Sequence, residues 1–211
     1  MAVDSEARSS GRGTQRPQPR GEERRSRLLA ALAHRLDGQS LAEVSVADVA
    51  GEAGLARSAF YFYFSSKNEA VTHLLAGIFD AQISDAAEVF GGEGDPRENL
   101  SKVMLHTVES WLAQRNSFLA MLDARDADAD TRAIWESWLT RYEDFVAAYI
   151  DEHRAPAADA GCASRDLAHS LLSLNERVLE RFLRGNGLDT ADDVHRSLTH
   201  VWTAAIFGGA Q

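Results

Sequence analysis

The sequence predicts an all-α protein. Apolar residues recur at helical spacing along most of the chain, whereas the alternation that is typical of strands is nowhere sustained. The one β-like run, FYFYF at 60–64, spans only five residues. Glycines and helix-capping serines mark the ends of the apolar segments. Together these observations predict about nine helices, in a chain whose 211 residues can bury a proper core as one large domain or two small ones.

The first three predicted helices, 22–37, 46–53 and 57–63, form a compact set. Ser45 can cap the second helix, and Gly54 ends it. Helix, short turn with glycine and second short helix make the helix-turn-helix pattern, whose second helix enters the major groove of DNA. The apolar faces contain Leu28, Leu29, Leu32 and Leu36 in the first helix, Val46, Val49, Ala50 and Ala53 in the second, and Phe60 and Phe64 in the third.

Six further helices complete the prediction. Ser66 followed by Glu69 is a capping box at the start of the fourth helix. The GGEGDP run at 91–96 and the glycine-containing segments 156–161 and 185–187 mark later ends. The expected bounds are 67–90, 96–113, 117–125, 129–154, 164–184 and 190–207.

Composition excludes several classes of protein. Four prolines and one cysteine exclude a collagen-like chain and a disulfide scaffold. No apolar run approaches the roughly 18 residues of a membrane span. The polar N-terminus, MAVDSEARSSGRGTQRPQPRG, lacks the apolar region of a secretory signal. We therefore expect a soluble, cytoplasmic protein that does not bind membranes.

The net charge of −10 at first argues against a nucleic-acid partner. Its distribution changes that reading, because residues 1–67 carry a net charge of +2 and residues 68–211 carry −12. Eight arginines lie within 8–35, against two glutamates. We interpret residues 1–21, in which glycines and prolines disfavour a helix, as a flexible Arg-rich arm; a merely solvated tail is the alternative.

Residues 46–75, VADVAGEAGLARSAFYFYFSSKNEAVTHLL, resemble the DNA-binding segment of TetR-family repressors. The marks are V-x-x-V-A-x-x-A-G-L, F-Y-x-Y-F and S-K-x-E-A-V. More weakly, N-E-R at 175–177 and H-V-W-T-A-A-I-F-G at 200–208 resemble the regulatory domain of the mycobacterial subgroup that represses ethionamide activation. The resemblance implies a helix-turn-helix DNA-binding domain at 22–67 and a helical ligand-binding and dimerisation domain at 68–211.

The resemblance also implies which residues meet DNA. Arginine can fork onto guanine or phosphate, tyrosine hydroxyls can reach phosphate, and a helix N-terminus attracts phosphate. Core packing is the alternative for the two tyrosines, although Phe60, Phe62 and Phe64 can share that burial. Ala56 and Ala59 stand where the family often has Ser or Thr, so the operator sequence is open. The DNA-binding candidates are Ser45, Arg57, Ser58, Tyr61, Tyr63 and Lys67.

An aromatic stripe runs along 129–154, where a plain core helix would use Leu, Ile and Val. Asn175 lies on an otherwise apolar face, so its amide either pairs within the core or holds a ligand. In the resembling subgroup an asparagine at this place lies in an elongated apolar channel. The matching fifth helix has Trp111 as its sole aromatic residue, so the ligand shape can differ. The lining candidates are Trp135, Trp138, Tyr142, Phe145, Asn175, Phe182 and Trp202.

The last two helices, 164–184 and 190–207, are apolar on more than one side, which indicates two packing partners. The resemblance implies that this pair forms a four-helix homodimer interface. A two-fold dimer would place its reading helices in successive major grooves, so the operator should be near-palindromic double-stranded DNA.

The function predicted is therefore a repressor whose DNA affinity falls when a small, largely apolar effector binds. A helical dimer that binds small molecules without regulating DNA is the alternative. An enzyme is disfavoured, because no phosphate loop or G-x-S-x-G motif occurs, and no metal or cofactor is expected. The run DARDADAD at 123–130 lacks the Gly and Glu of a calcium loop.

Overall fold

The computed structural model describes residues 20–155 and 161–208. Within these ranges the chain forms nine α-helices and no strand, which confirms the predicted fold class. Most of the predicted Arg-rich arm, residues 1–19, lies outside the described residues. The helices are α1 (Arg20–Leu36), α2 (Val46–Glu52), α3 (Arg57–Tyr63), α4 (Lys67–Phe90), α5 (Pro96–Ala113), α6 (Arg115–Ala127), α7 (Ala129–His153), α8 (Ser164–Leu183) and α9 (Ala191–Phe207).

Helices α1 to α3 pack around a small apolar core. Leu28 and Leu32 of α1 are fully buried, as are Val49 of α2 and Phe60 of α3. A charged clamp joins α1 to α2 outside this core, where the Glu52 carboxylate pairs with His34 and Arg35. These two partners hold the pKa of Glu52 below its ordinary value.

Helix α4 connects the two halves of the fold. It packs against α1 on one side and against α5, α6 and α7 on the other. Ser66 caps it by accepting a hydrogen bond from the Glu69 amide at 3.1 Å. The reciprocal half of the predicted capping box is displaced by one residue, because the Glu69 carboxylate accepts from the amide of Ser65, at 2.6 Å. Since the Ser65 hydroxyl and the Ser65 amide both donate to this carboxylate and favour its ionised form, the pKa of Glu69 is lowered.

The larger half is a bundle in which α7 packs on α8 and α5 packs on α9. Its core includes fully buried Trp135, Phe118, Met121 and Trp202. Rings stack directly within it: Trp111 lies on Phe118 with centroids 4.2 Å apart. None of the described helices is long and apolar enough to span a membrane.

Candidate functional site

The turn between α2 and α3 is fixed by Gly54, whose φ is +66°, in the left-handed region that favours glycine. The following amide, of Leu55, donates to the Ala50 carbonyl at 2.8 Å and closes the end of α2. Arg27 of α1 donates to the Ala53 carbonyl beside it. A Cβ atom at position 54 would lie 2.7 Å from the movable end of the Arg27 side chain, so the positive φ, rather than lack of space, is what favours glycine here.

Helix α3 presents a polar, exposed face. Phe60 points into the core and Phe64, just after the helix, is also buried, while Arg57 and Ser58 are exposed at the helix start. Arg57 lies over the ring of Tyr61, with its guanidinium carbon 5.6 Å from the ring centroid. This cation–π contact keeps the arginine beside the half-exposed tyrosine. No side chain caps the start of α3 at Ala56, where the Ala59 amide donates to the Ala56 carbonyl at 2.9 Å.

Phe62 was expected to share the burial of Phe60 and Phe64, and this expectation is wrong. Its side chain is 82% exposed, the most exposed large apolar residue of the described chain. The reason is helical spacing: residues 60 and 64 are one turn apart and face the core, so residue 62 faces away from it. The same spacing places Phe62 one turn beyond Ser58, on the exposed face. Sequence reasoning missed it as a candidate contact, although periodicity could have found it.

Tyr63 and Ser45 are placed less openly than expected. Tyr63 is half-buried, and its hydroxyl lies near Gly21 at the start of α1, 3.9 Å from where a Cβ atom would be. Ser45 is exposed, but its Oγ atom accepts from the Ala47 amide at 3.2 Å as the cap of α2. Both residues lie in the same half of the molecule as α3. There Tyr63 packs against the start of α1, and Ser45 caps α2.

Lys67 requires a correction. Its ammonium group, expected to meet a phosphate, donates to three carbonyl oxygens of the connection between α1 and α2. The distances are 2.6 Å to Leu41, 3.2 Å to Ala42 and 2.7 Å to Val44. Because an ammonium has three donors, all are used within the protein. Lys67 therefore connects α4 to the helix-turn-helix. The position of Lys67 in the capping segment of α4 does not predict this role.

In the larger half, the aromatic face of α7 lines a cavity that is almost closed. It encloses about 40 Å³, whereas sites for drug-sized ligands enclose roughly 300–1,000 Å³. Four predicted lining residues surround it: Trp135, Trp138, Tyr142 and Asn175. The remaining lining comes from Phe79, Gln82, Met104, Thr107, Trp111, Leu139, Leu172, Glu176 and Leu179.

Asn175 and Glu176 each hold one tryptophan. The Trp202 indole donates to Asn175 Oδ1 at 2.8 Å, and the Trp135 indole donates to Glu176 Oε2 at 3.1 Å. Glu176 also pairs with Arg125, whose guanidinium lies 5.3 Å from the Trp135 ring centroid. Of the two alternatives for Asn175, the structure shows the core pairing, with Met104 sulfur as the second, weaker partner.

Three predicted lining residues lie elsewhere. Trp202 is fully buried behind Asn175, because its hydrogen bond turns the indole into the core. Phe145 faces a separate surface recess, where Phe90 lies 6.0 Å from it, centroid to centroid, beside Tyr149. Phe182 is half-buried near the end of α8 and does not line the cavity.

Tyr142 contributes a hydroxyl group to the cavity wall. Its hydroxyl makes no hydrogen bond to any described residue. Burial raises the pKa of Tyr142 to about 12, because the phenolate would be poorly solvated there. The hydroxyl is therefore protonated at neutral pH and can donate to a ligand.

Comparison with known proteins assigns both halves. Residues 28–72 match the family described as bacterial regulatory proteins, tetR family, and residues 100–208 match the C-terminal domain of the transcriptional regulator EthR. The chain belongs to the TetR family. It is thus a transcriptional regulator with a DNA-binding N-terminal domain, and the matched families and relatives are regulators rather than enzymes.

Individual relatives agree with this TetR-family assignment. The chain is 30% identical to the HTH-type transcriptional regulator EthR of Mycobacterium tuberculosis over 207 residues, 93% of each chain. A TetR-family regulator from Syntrophomonas wolfei has the same fold, with a TM-score of 0.73, 18% identity, and coverage of 89% of this chain and 97% of its own. A regulator from Saccharomonospora viridis, solved in complex with choline, also has this fold. Its TM-score is 0.65 and its identity 17%, with coverage of 85% of this chain and 95% of its own.

The position of Lys67 generates a test. Lys67→Met keeps the aliphatic stem but leaves three carbonyls without their donor, so we expect a loss of about 1–3 kcal/mol in the free energy of unfolding. Urea unfolding followed by circular dichroism measures it. The control is Lys102→Met, at the only other lysine, which is exposed. A phosphate contact would instead lower the slope of log affinity against log salt by about 1 in DNA binding, and that result would contradict the assignment.

The tryptophan held by Asn175 generates a second test. Trp202→Phe removes the indole donor and leaves the buried Oδ1 atom unpaired, so we expect a destabilisation of about 1–3 kcal/mol beyond the packing loss. The same change at half-buried Trp138, whose indole has no hydrogen bond to described residues, provides the packing loss alone. Urea midpoints of the two variants give the comparison. Equal losses would show that the hydrogen bond contributes nothing.

Proposed function

We propose that this protein is a cytoplasmic repressor that binds a near-palindromic operator through α3 and releases it when a small effector binds in the larger half. The observation that carries the DNA-binding part is the exposed face of α3, which combines the Arg57–Tyr61 pair with Ser58 and Phe62. Arginine reads guanine or phosphate, and an apolar ring can contact the methyl group of thymine. The charge of +2 over residues 1–67, against −12 over the rest, favours approach of this end.

A direct binding measurement tests this proposal. Fluorescence anisotropy with DNA from upstream of the protein's own gene should give sequence-specific, salt-dependent binding. Arg57→Ala should weaken it by about 1–3 kcal/mol, roughly 5- to 150-fold, and Phe62→Ala by less. Arg132→Ala, an exposed arginine on α7, is the matched control and should leave affinity unchanged.

Binding that ignores both sequence and salt would overturn the repressor proposal. That result would instead favour the alternative function, a helical dimer that binds small molecules without regulating DNA. If the Arg57→Ala variant binds operator DNA as tightly as the control variant, α3 is not the helix that reads the operator. Operator binding would then require another surface of the protein.

We propose further that α8 and α9 form the dimer interface. Each helix uses one face for the core, through Leu179 and Leu198, yet keeps apolar side chains outside. Leu174 of α8 and Val201 of α9 are both 36% exposed. A second copy of the same pair would cover them in a four-helix interface. The dimer would set the spacing of the two α3 helices on the operator.

The interface is tested with matched glutamates. Val201→Glu places a carboxylate in the proposed contact, where desolvation without a partner is costly, so the 23.1 kDa chain should sediment as a monomer. Ile134→Glu on α7, where the native side chain is 37% exposed, is the control and should remain a dimer. Analytical ultracentrifugation over a range of concentrations distinguishes them. Dimers for both variants would exclude this interface.

The effector part of the proposal rests on the closed cavity. A volume of about 40 Å³ admits water-sized molecules only, so an effector must bind a second, opened conformation. The wall includes Phe79 and Gln82 of α4, so opening the cavity displaces α4. Because α4 begins against the helix-turn-helix at Lys67, its displacement changes the placement of α3. The choline complex of the Saccharomonospora viridis regulator supports small-molecule binding in this fold.

A further inference from the structure

A wide cleft lies between α4 and α5 on the outer side of the closed cavity. It encloses about 590 Å³, which is within the usual range of small-molecule sites. Two lining residues, Gln82 and Thr107, also line the closed cavity, so the two spaces share a wall. The other lining residues are Asp85, Ala86, Glu88, Val89, Gly92, Glu93, Asn99, Lys102, Val103 and His106.

Two contacts across the cleft hold α4 to α5. Gln82 Nε2 donates to Ser110 Oγ at 2.8 Å, and Asp85 pairs with His106 at 3.1 Å. Gln82 is only 5% exposed and stands in the shared wall.

Two side-chain amides in the cleft wall each keep one polar atom that is open to the cleft. Gln82 Oε1 accepts no hydrogen bond from the described residues, although the side chain is nineteen-twentieths buried. Asn99, 6% exposed, uses its Oδ1 atom for Lys102 and has no acceptor among the described residues for its Nδ2 group. Neither atom is a buried unpaired atom, so both are accessible in the cleft, and each can form a hydrogen bond with a polar ligand group.

The cleft is also acidic. Glu88 and Glu93 are exposed and form no ion pair within the described chain, and Asp85 has only a histidine partner. A single lysine, Lys102, stands against these three carboxylates. The cleft therefore favours a cation, whereas the aromatic wall behind Gln82 favours an apolar or aromatic group.

We propose that the effector is an amphiphilic cation, whose charged end occupies the α4–α5 cleft and whose apolar end opens the aromatic cavity past Gln82. This inference rests on the proposed function and deepens it. The polar groups that the ligand can meet as its apolar end enters the aromatic cavity are the Tyr142 hydroxyl and the Gln82 amide. Because the ligand separates α4 from α5, it acts on the helix that carries the helix-turn-helix.

The charge preference is tested with three probes that share one skeleton: 4-phenylbutylamine, 4-phenyl-1-butanol and 4-phenylbutyrate. The amine is protonated at neutral pH. Isothermal titration of the full chain should give at least tenfold tighter binding of the amine than of the alcohol, and weaker binding still of the carboxylate. Release of operator DNA, followed by anisotropy, should follow the same order.

A pair of double variants assigns the preference to the cleft. Glu88→Gln with Glu93→Gln should weaken amine binding three- to tenfold and leave alcohol binding unchanged. Glu136→Gln with Asp130→Asn, at exposed positions of α7, changes the net charge equally and should alter neither. Equal binding of all three probes, equal effects of the two double variants, or no binding at all would overturn the inference. Operator binding without any probe is measured in the same samples, so its loss would instead mark failure of the proposed function.

Discussion

The architecture depends on one constraint: α4 packs against both the helix-turn-helix and the larger helical bundle. Its first residue, Lys67, is bound by three carbonyls of the α1–α2 connection, and its middle supplies part of the cavity wall. Because α4 is a continuous helix of 24 residues, a rigid tilt of its middle would also move its first turn. In the proposed mechanism, a separation of α4 from α5 acts on the helix-turn-helix through this one helix.

The centre of the larger half is organised around adjacent polar residues on α8. Asn175 reaches toward α9 and Glu176 toward α7, and each accepts from an indole N–H group. These hydrogen bonds fix two large rings whose apolar faces fill the bundle. As a result, Asn175 Oδ1 and Glu176 Oε2 are already occupied by indole N–H groups.

Much of the fold could be predicted, because helix signals here are local. Ser45, Ser66, Asp95 and Asp128 all cap helices, and Gly54 ends one through its positive φ. The exposed arginine and serine of α3 were expected from the family resemblance, which implied that both residues face DNA. The side-chain contacts that join distant segments of the chain could not be predicted from the sequence.

The failures have a common physical cause. Lys67 finds its acceptors about 25 positions away in the chain, and Trp202 is turned by a residue on another helix. Such contacts depend on how helices pack, which spacing within one helix does not determine. Phe145 and Phe182 share the aromatic pattern of true lining residues but face other spaces. The α4–α5 cleft has no sequence pattern of its own, since it arises where two amphipathic helices diverge.

The distribution of tryptophan has an optical consequence. All four residues of this type lie in the larger half, at 111, 135, 138 and 202, and the helix-turn-helix contains none. Three line the aromatic cavity, and the fourth is one hydrogen bond away from it. The intrinsic emission of the protein therefore reports the interior of the larger half alone, so occupation of the cavity can be followed without a dye while labelled DNA reports the other half independently.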